Sequence, residues 1–294
     1  MSRQNRRSHG ARLVDNRKTR KRLNELDGKA WVKSTKSWFV INPRSRSKAQ
    51  LEHPAKFPEK LVSRFVEFFT SPGAWVLDPF AGVGSTNVAC RALGRNSFGV
   101  ELNPEFVEVG LKELSKTEGT GEQHLLCGDS LDIAAILESH FGEDIPPLDY
   151  LITSPPYFDM LRKSRGGNDS VHKDREKKGL KQFYSTSEND LGNIVAYDEY
   201  LESVGEVLDV VFPYLGEGAY ATVVIQNMRD KDGTFKPIAW DLAKRFGETY
   251  ELKQEQIWCQ DNKQLGCWGY PTTYVSNVHH HYCIVLQKVT PNEG

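Results

Sequence analysis

Ser154-Pro155-Pro156-Tyr157 gathers more potential chemistry into four residues than any other stretch of this chain. The Ser154 hydroxyl and the Pro155 carbonyl can accept hydrogen bonds from an amine, and Tyr157 carries a flat ring on which a base extruded from a duplex can stack. Two prolines cannot continue a strand ladder. The apolar and β-branched run Leu151-Ile152-Thr153 therefore reads as a strand that ends here and holds the four residues at its carboxyl end, where open α/β sheets place their ligands. Such a turn taken alone is more often a structural loop, and its context upstream is what gives it weight.

That context is Ala74-Trp75-Val76-Leu77-Asp78-Pro79-Phe80-Ala81-Gly82-Val83-Gly84-Ser85-Thr86, an apolar strand running into a glycine turn with a helix expected from Thr86 to Leu93. Gly82 and Gly84 let the backbone pass close to a ligand, as in the strand-to-helix turns of nucleotide-binding folds. A second strand, Ser97 to Leu102, ends on Glu101, at about the twenty-residue spacing with which such folds grip ribose hydroxyls. A third ends on Asp129 after Leu125-Leu126-Cys127-Gly128. A glycine turn or one acidic strand end means little separately. Three acidic strand ends in order, with Ser154-Pro155-Pro156-Tyr157 on a fourth, are hard to explain without a shared ligand site.

On these residues the chain resembles the amino-group methyltransferases that use S-adenosylmethionine. Asp78 to Thr86 looks like their cofactor loop, and Ser154 to Tyr157 like their catalytic loop. His53-Pro54-Ala55-Lys56-Phe57-Pro58-Glu59-Lys60-Leu61 resembles the segment that precedes the cofactor loop in DNA methyltransferases and closes over the methionine end. The resemblance implies S-adenosyl-L-methionine as cofactor, with Lys56, Phe57, Pro58, Asp78, Phe80, Gly82, Gly84, Ser85, Thr86, Glu101, Asn103, Asp129 and Ser130 around it, and Ser154, Pro155, Pro156 and Tyr157 as the catalytic group. It covers residues 51 to 160 strongly and 196 to 288 more loosely. The order departs from the pattern: here the cofactor loop precedes the catalytic loop, whereas the most similar DNA enzymes commonly reverse them. Circular permutation preserves spatial positions, so the chemistry should survive it.

The reaction so implied is direct methyl transfer to an exocyclic amine. Such an amine is a poor nucleophile because its lone pair is delocalised into the ring; acceptors at Ser154 and Pro155 would favour the localised form. Ser154 at the first loop position points to N4 of cytosine in double-stranded DNA, with N6 of adenine as the alternative and an RNA base methyltransferase behind both. None of the cysteines has the Pro-Cys context of carbon-5 cytosine enzymes. A dehydrogenase would leave Ser154 to Tyr157 unexplained, and an inert nucleic-acid-binding module would leave the cofactor loop idle. Whether a cognate restriction nuclease accompanies the enzyme is open.

Charge is unevenly spread. Residues 1–50 hold fifteen Lys or Arg against three acidic residues, an excess of +12, which leaves −13 for the rest of a 294-residue chain whose net charge is −1. This basic arm, with Arg6, Arg7, Arg17, Lys18, Arg20, Lys21 and Arg22, suits a phosphate backbone. Trp31 and Trp38-Phe39-Val40-Ile41 interrupt it with apolar bulk and are expected to dock on the core. Residues 51–294 form the expected catalytic domain, with a polar insertion at about 161–195 as the candidate for gripping the target strand. The Gly266-Cys267-Trp268-Gly269-Tyr270-Pro271 loop either touches the target base or its neighbours or is a packed surface loop.

Five scattered cysteines, no apolar run near the roughly twenty residues of a membrane span and no apolar leader lead to the expectation of a cytoplasmic protein without a membrane partner. His279-His280-His281 reads as a strand start, because adjacent strand residues point to opposite faces and cannot converge on a metal. Helices are expected at Tyr197 to Leu215 and Pro237 to Phe246, a strand at Tyr220 to Ile225, and a closing antiparallel pair at Tyr250 to Cys259 and Tyr282 to Lys288. Alternating strands and helices of this kind predict an α/β fold: a doubly wound, Rossmann-like class I methyltransferase sheet, mostly parallel with an antiparallel edge strand.

Overall fold

The computed structural model describes residues 22–42, 58–158, 189–230, 233–263 and 265–289. Helix α1 (Gly28–Ser34) and strand β1 (Trp38–Val40) come first, followed by α2 (Glu59–Phe69), β2 (Trp75–Asp78), α3 (Ser85–Ala92), β3 (Asn96–Glu101), α4 (Pro104–Ser115), β4 (Gln123–Cys127), α5 (Ile133–Phe141) and β5 (Leu148–Thr153). After the Ser154 loop come α6 (Tyr197–Val211) and β6 (Leu215–Ile225), then a hairpin of β7 (Met228–Arg229) and β8 (Phe235–Lys236). Helix α7 (Ile238–Phe246), β9 (Glu251–Cys259), a second hairpin of β10 (Cys267–Trp268) and β11 (Val275–Ser276), and β12 (His280–Gln287) complete the fold.

Eight strands form one sheet in the order β1-β9-β12-β6-β5-β2-β3-β4. Strands β4, β3, β2, β5 and β6 are mutually parallel, and β12 runs antiparallel to both its neighbours, β6 and β9. The chain lays β3 and β4 outward from β2, then returns to set β5 on the other side of β2. Winding therefore reverses between β2 and β5, and the crevice over their carboxyl ends is where a doubly wound sheet binds its ligand.

The near-continuous apolar reading of the central strands has its reason in burial on both faces. One face carries α5, α6 and α7 through Ile133, Leu137, Val204, Leu208 and Leu242. The other carries α2 and α3 through Leu61, Phe65, Val66, Ala89 and Cys90. Helix α6 stops at Val211, four residues before the expected end. Pro213 there has no N–H to return to the helix, and Phe212–Tyr214 tighten into a 3-10 turn that leads directly into a longer β6.

The antiparallel pair β9–β12 forms as expected, and β1 covers its outer side by pairing in parallel with β9. The indole of Trp258 donates to the Ile41 carbonyl at 2.8 Å, the Arg64 guanidinium lies 4.4 Å over the Phe39 ring, and Trp31 packs 4.9 Å from Phe68. Residues 22–42 are thus built into the domain. The basic residues from Arg6 to Lys21, the boundary near residue 50 and most of the 161–195 insertion lie outside the described residues.

A packing test follows from Gly110 on α4. An added Cβ would stand 2.5 Å from Leu125 Cδ2 and 3.0 Å from the Val83 backbone carbon, where the glycine turn leaves no room to give. Gly110→Ala is expected to destabilise the fold by roughly 1–3 kcal/mol, read as a lower urea midpoint with unchanged slope. An unchanged midpoint would show that α4 does not press on the turn.

Candidate functional site

Asp78 ends β2 at the point where the winding reverses, and it is fully buried. Its carboxylate accepts from Thr86 Oγ1 at 2.5 Å, from Thr153 Oγ1 at 2.7 Å and from the Phe80 amide at 3.1 Å. Three segments that are far apart in sequence therefore meet on one side chain: the glycine turn, the first turn of α3 and the last residue of β5. The Ser154 loop begins one residue after Thr153.

The turn itself depends on two left-handed positions, with φ of 54° at Gly82 and 72° at Gly84. Only glycine takes these without strain. Glu101, at the end of β3, braces the turn by accepting from the Gly82 amide at 2.8 Å and from the Asn103 amide at 2.9 Å. Each of its oxygens retains a lone pair for a further donor. Asn103 also caps α4 by accepting from the Glu105 amide, and the Ser130 hydroxyl donates to the Pro79 carbonyl. Asp129 caps the short turn after β4 through the Leu131 amide. Asp78, Phe80, Gly82, Gly84, Ser85, Thr86, Glu101, Asn103, Asp129 and Ser130 all lie along the carboxyl ends of β2, β3 and β4. Pro58 caps α2; Lys56 and Phe57 fall outside the described residues.

In the Ser154 loop, the Ser154 hydroxyl is bonded to that of Tyr157, and the Pro156 carbonyl accepts from Tyr200 on α6 at 2.9 Å. With Pro156 so engaged, the lone pairs of Ser154 and Pro155 are those left for an incoming amine. The open stacking face expected of Tyr157 is absent: the residue is 9 % exposed, and its ring packs 6.3 Å from that of His281, which in turn stacks on Trp258 at 4.4 Å. His281 of β12 thus packs beside the ring that the sequence suggested was free. Sequence reasoning missed Thr153, Tyr200, Asp190 and His281. A polar residue closing an apolar strand was a usable signal for Thr153, whereas the others are brought in by tertiary contacts alone. Among the described residues no group of three His, Cys, Asp or Glu is placed to hold a metal, all five cysteines are free, and no helix is long and apolar enough to cross a membrane.

With the geometry in place, comparison with known proteins is informative. Residues 5–112 match the DNA methylase family. The type II methyltransferase M.BglII of Bacillus subtilis is 35% identical over 78 residues, 26% of this chain and 22% of that protein. The DNA adenine methyltransferase YhdJ of Escherichia coli is 42% identical over 62 residues, 21% of each chain. The alignments thus span about a fifth of these relatives. An rRNA methylase from Streptococcus thermophilus overlays with a TM-score of 0.42 at 12% identity, over 80% of this chain and 99% of that one, too loosely to carry an argument. The family match ends at residue 112, so it takes in the glycine turn and Glu101 but not Ser154 to Tyr157.

Electrostatics set the two carboxylates of the site apart from ordinary ones. Burial raises Asp78 to about 6 against the pull of its three donors. Burial also raises Glu101 to about 7, opposed by its two amide donors and reinforced by the negative charges of Asp78 and Asp190. A carboxylate raised in the folded state contributes stability that is complete below its unfolded value near 4.5 and is lost as pH climbs through its folded value. The stability of the wild type relative to Glu101→Gln should therefore fall between pH 4.5 and pH 7 and level off above. Urea unfolding of both proteins across that window tests this, and parallel pH profiles would contradict it.

Proposed function

We propose that this chain, whose residues 5–112 match the DNA methylase family, transfers a methyl group from S-adenosylmethionine to the exocyclic amine of a base flipped out of double-stranded DNA, N4 of cytosine foremost. The observation that carries this reading is the tie through Asp78 and Thr153, which fixes Ser154 beside the glycine turn.

The residues present fit the cofactor. Glu101 has acceptor capacity left for ribose hydroxyls, and the left-handed Gly82 and Gly84 keep side chains out of the turn. S-adenosylmethionine bound there supplies an electrophilic methyl group. Ser154 and the Pro155 carbonyl accept from the two amine hydrogens, which localises the nitrogen lone pair for attack; the surplus proton then leaves to water. The bond between the Ser154 and Tyr157 hydroxyls holds Ser154 in place, and Tyr200 holds the loop through the Pro156 carbonyl. A neutral hydroxyl suits cytosine, whose amine needs an acceptor but no charged base. The Escherichia coli relative, a DNA adenine methyltransferase, keeps N6 of adenine as the second reading.

Two outcomes test the reading. DNA exposed to the protein and S-adenosylmethionine, digested to nucleosides and weighed by mass spectrometry, should yield N4-methylcytosine. N6-methyladenine alone would overturn the base assignment, and methylation of RNA alone the substrate. Ser154→Ala should lower kcat by roughly 10²- to 10³-fold, the scale of one hydrogen bond aimed at a transition state, with cofactor affinity unchanged in calorimetry. Normal turnover would remove Ser154 from the mechanism.

The amino-terminal arm is read as a phosphate-binding element that raises affinity without setting sequence choice. Leu23 packs on the α2 core and the Asn24 side chain donates to the Phe68 carbonyl, so a deletion of residues 1–21 keeps these contacts. It should flatten the salt dependence of DNA binding and leave the methylated sequence unchanged. A changed sequence would make the arm a reader of bases.

A further inference from the structure

The hairpin β10–β11 carries bulk that the rest of the fold leaves unexplained. Leu265, Tyr270 and Tyr274 are 82%, 88% and 83% exposed, three large apolar side chains within ten residues. One exposed tyrosine is ordinary; three such residues on one projection are a surface feature. Slack is not the reason for their exposure. The Gly269 carbonyl accepts from the amides of both Thr272 and Thr273 at 2.8 Å, and Gly269 sits at φ 79°, where a Cβ would collide with Thr273. The Gly266 amide donates to Asn277 Oδ1 at 2.7 Å. At the root, Gln226 donates to the carbonyls of Val278 and His280, Lys263 donates to that of Val278, and Arg229 of the neighbouring hairpin donates to that of Ser276.

Topology sets where this braced tip stands. Strand β12 is antiparallel to both β6 and β9, and β6 is parallel to β5, so the chain leaves β9 at the same sheet edge as Ser154. Three strand spacings of about 4.8 Å separate β5 from β9, roughly 14 Å, which is close to the major-groove width of about 12 Å. A duplex presenting a base to Ser154 would lie across the hairpin.

We propose that β10–β11 is a wedge that enters the duplex beside the target base, with Tyr270 and Tyr274 filling the space that the extruded base leaves. Apolar side chains inserted between base steps are a general means of offsetting lost stacking. The proposal rests on the reading of the chain as a DNA base methyltransferase and adds how the duplex is opened.

The test begins by sequencing DNA methylated by the wild type, to fix the target. Two duplexes are then compared, one with the target base paired and one with it opposite an abasic site, where extrusion costs less. The double variant Tyr270→Ala, Tyr274→Ala should lose roughly 10- to 100-fold in kcat/KM on the paired duplex and recover most of it on the abasic one, with cofactor affinity unchanged. Tyr270→Phe with Tyr274→Phe should retain activity on both. Wild-type rates from the alanine variant on the paired duplex would overturn the wedge, as would an equal loss on both duplexes. A wild type that methylates no DNA base fails at the first step, and that failure belongs to the parent reading.

Discussion

A carboxylate closed off from water normally destabilises a fold unless donors surround it. Asp78 has three, and each comes from a different segment: Thr86 from α3, Thr153 from β5 and Phe80 from the turn. The cost of burying this group is offset only when all three segments are in place, so the same side chain that closes the switch point also sets the distance between the glycine turn and the Ser154 loop. Glu101 repeats the arrangement one strand over, with two backbone amides as donors. The site is assembled by satisfying buried acids, and the helices and sheet hold the donors where those acids need them.

That logic explains what could be read in the residues and what could not. Asp78, Gly82, Gly84, Glu101 and Ser154 were legible because strand ends and left-handed turns impose residue types locally, and the spacing of one strand end to the next repeats. The closing pair β9–β12 was legible as two late segments of strand length, although only β12 is an apolar run and β9 is mostly polar. Tyr200 was hidden inside a helical apolar face, where nothing marks which aromatic will reach the Pro156 carbonyl. His281 was hidden in a histidine run and became informative only through Trp258 and Tyr157 on either side. The burial of Tyr157 was not legible either, since the His281 ring packed beside it comes from a strand more than a hundred residues downstream. Asp190 sat in a polar stretch that read as insertion, yet it is buried and its charge acts on Glu101.

The two hairpins at the carboxyl edge and the strands beneath them divide the work as scaffolds and loops generally do. Parallel strands buried on both faces fix Asp78, Glu101 and the Ser154 loop; short strands and glycine turns outside the main sheet carry the exposed Phe235, Tyr270 and Tyr274. On the proposed function, the gathering of Asp78, Glu101 and Asp190 also has a purpose. The charges of Asp78 and Asp190 add to the burial that raises Glu101, and a ligand bearing positive charge relieves that repulsion as it binds.

Whether Asp78 couples the glycine turn to the Ser154 loop is tested most directly by a double-mutant cycle on its two hydroxyl donors, followed by urea unfolding at pH 8, where the carboxylate is ionised. Thr86→Val and Thr153→Val each remove one donor from opposite sides of the switch point. If the carboxylate joins them, the double variant should differ from the sum of the singles by about 0.5–3 kcal/mol. Strict additivity would mean that the two segments are held independently, and that Asp78 is not what connects them.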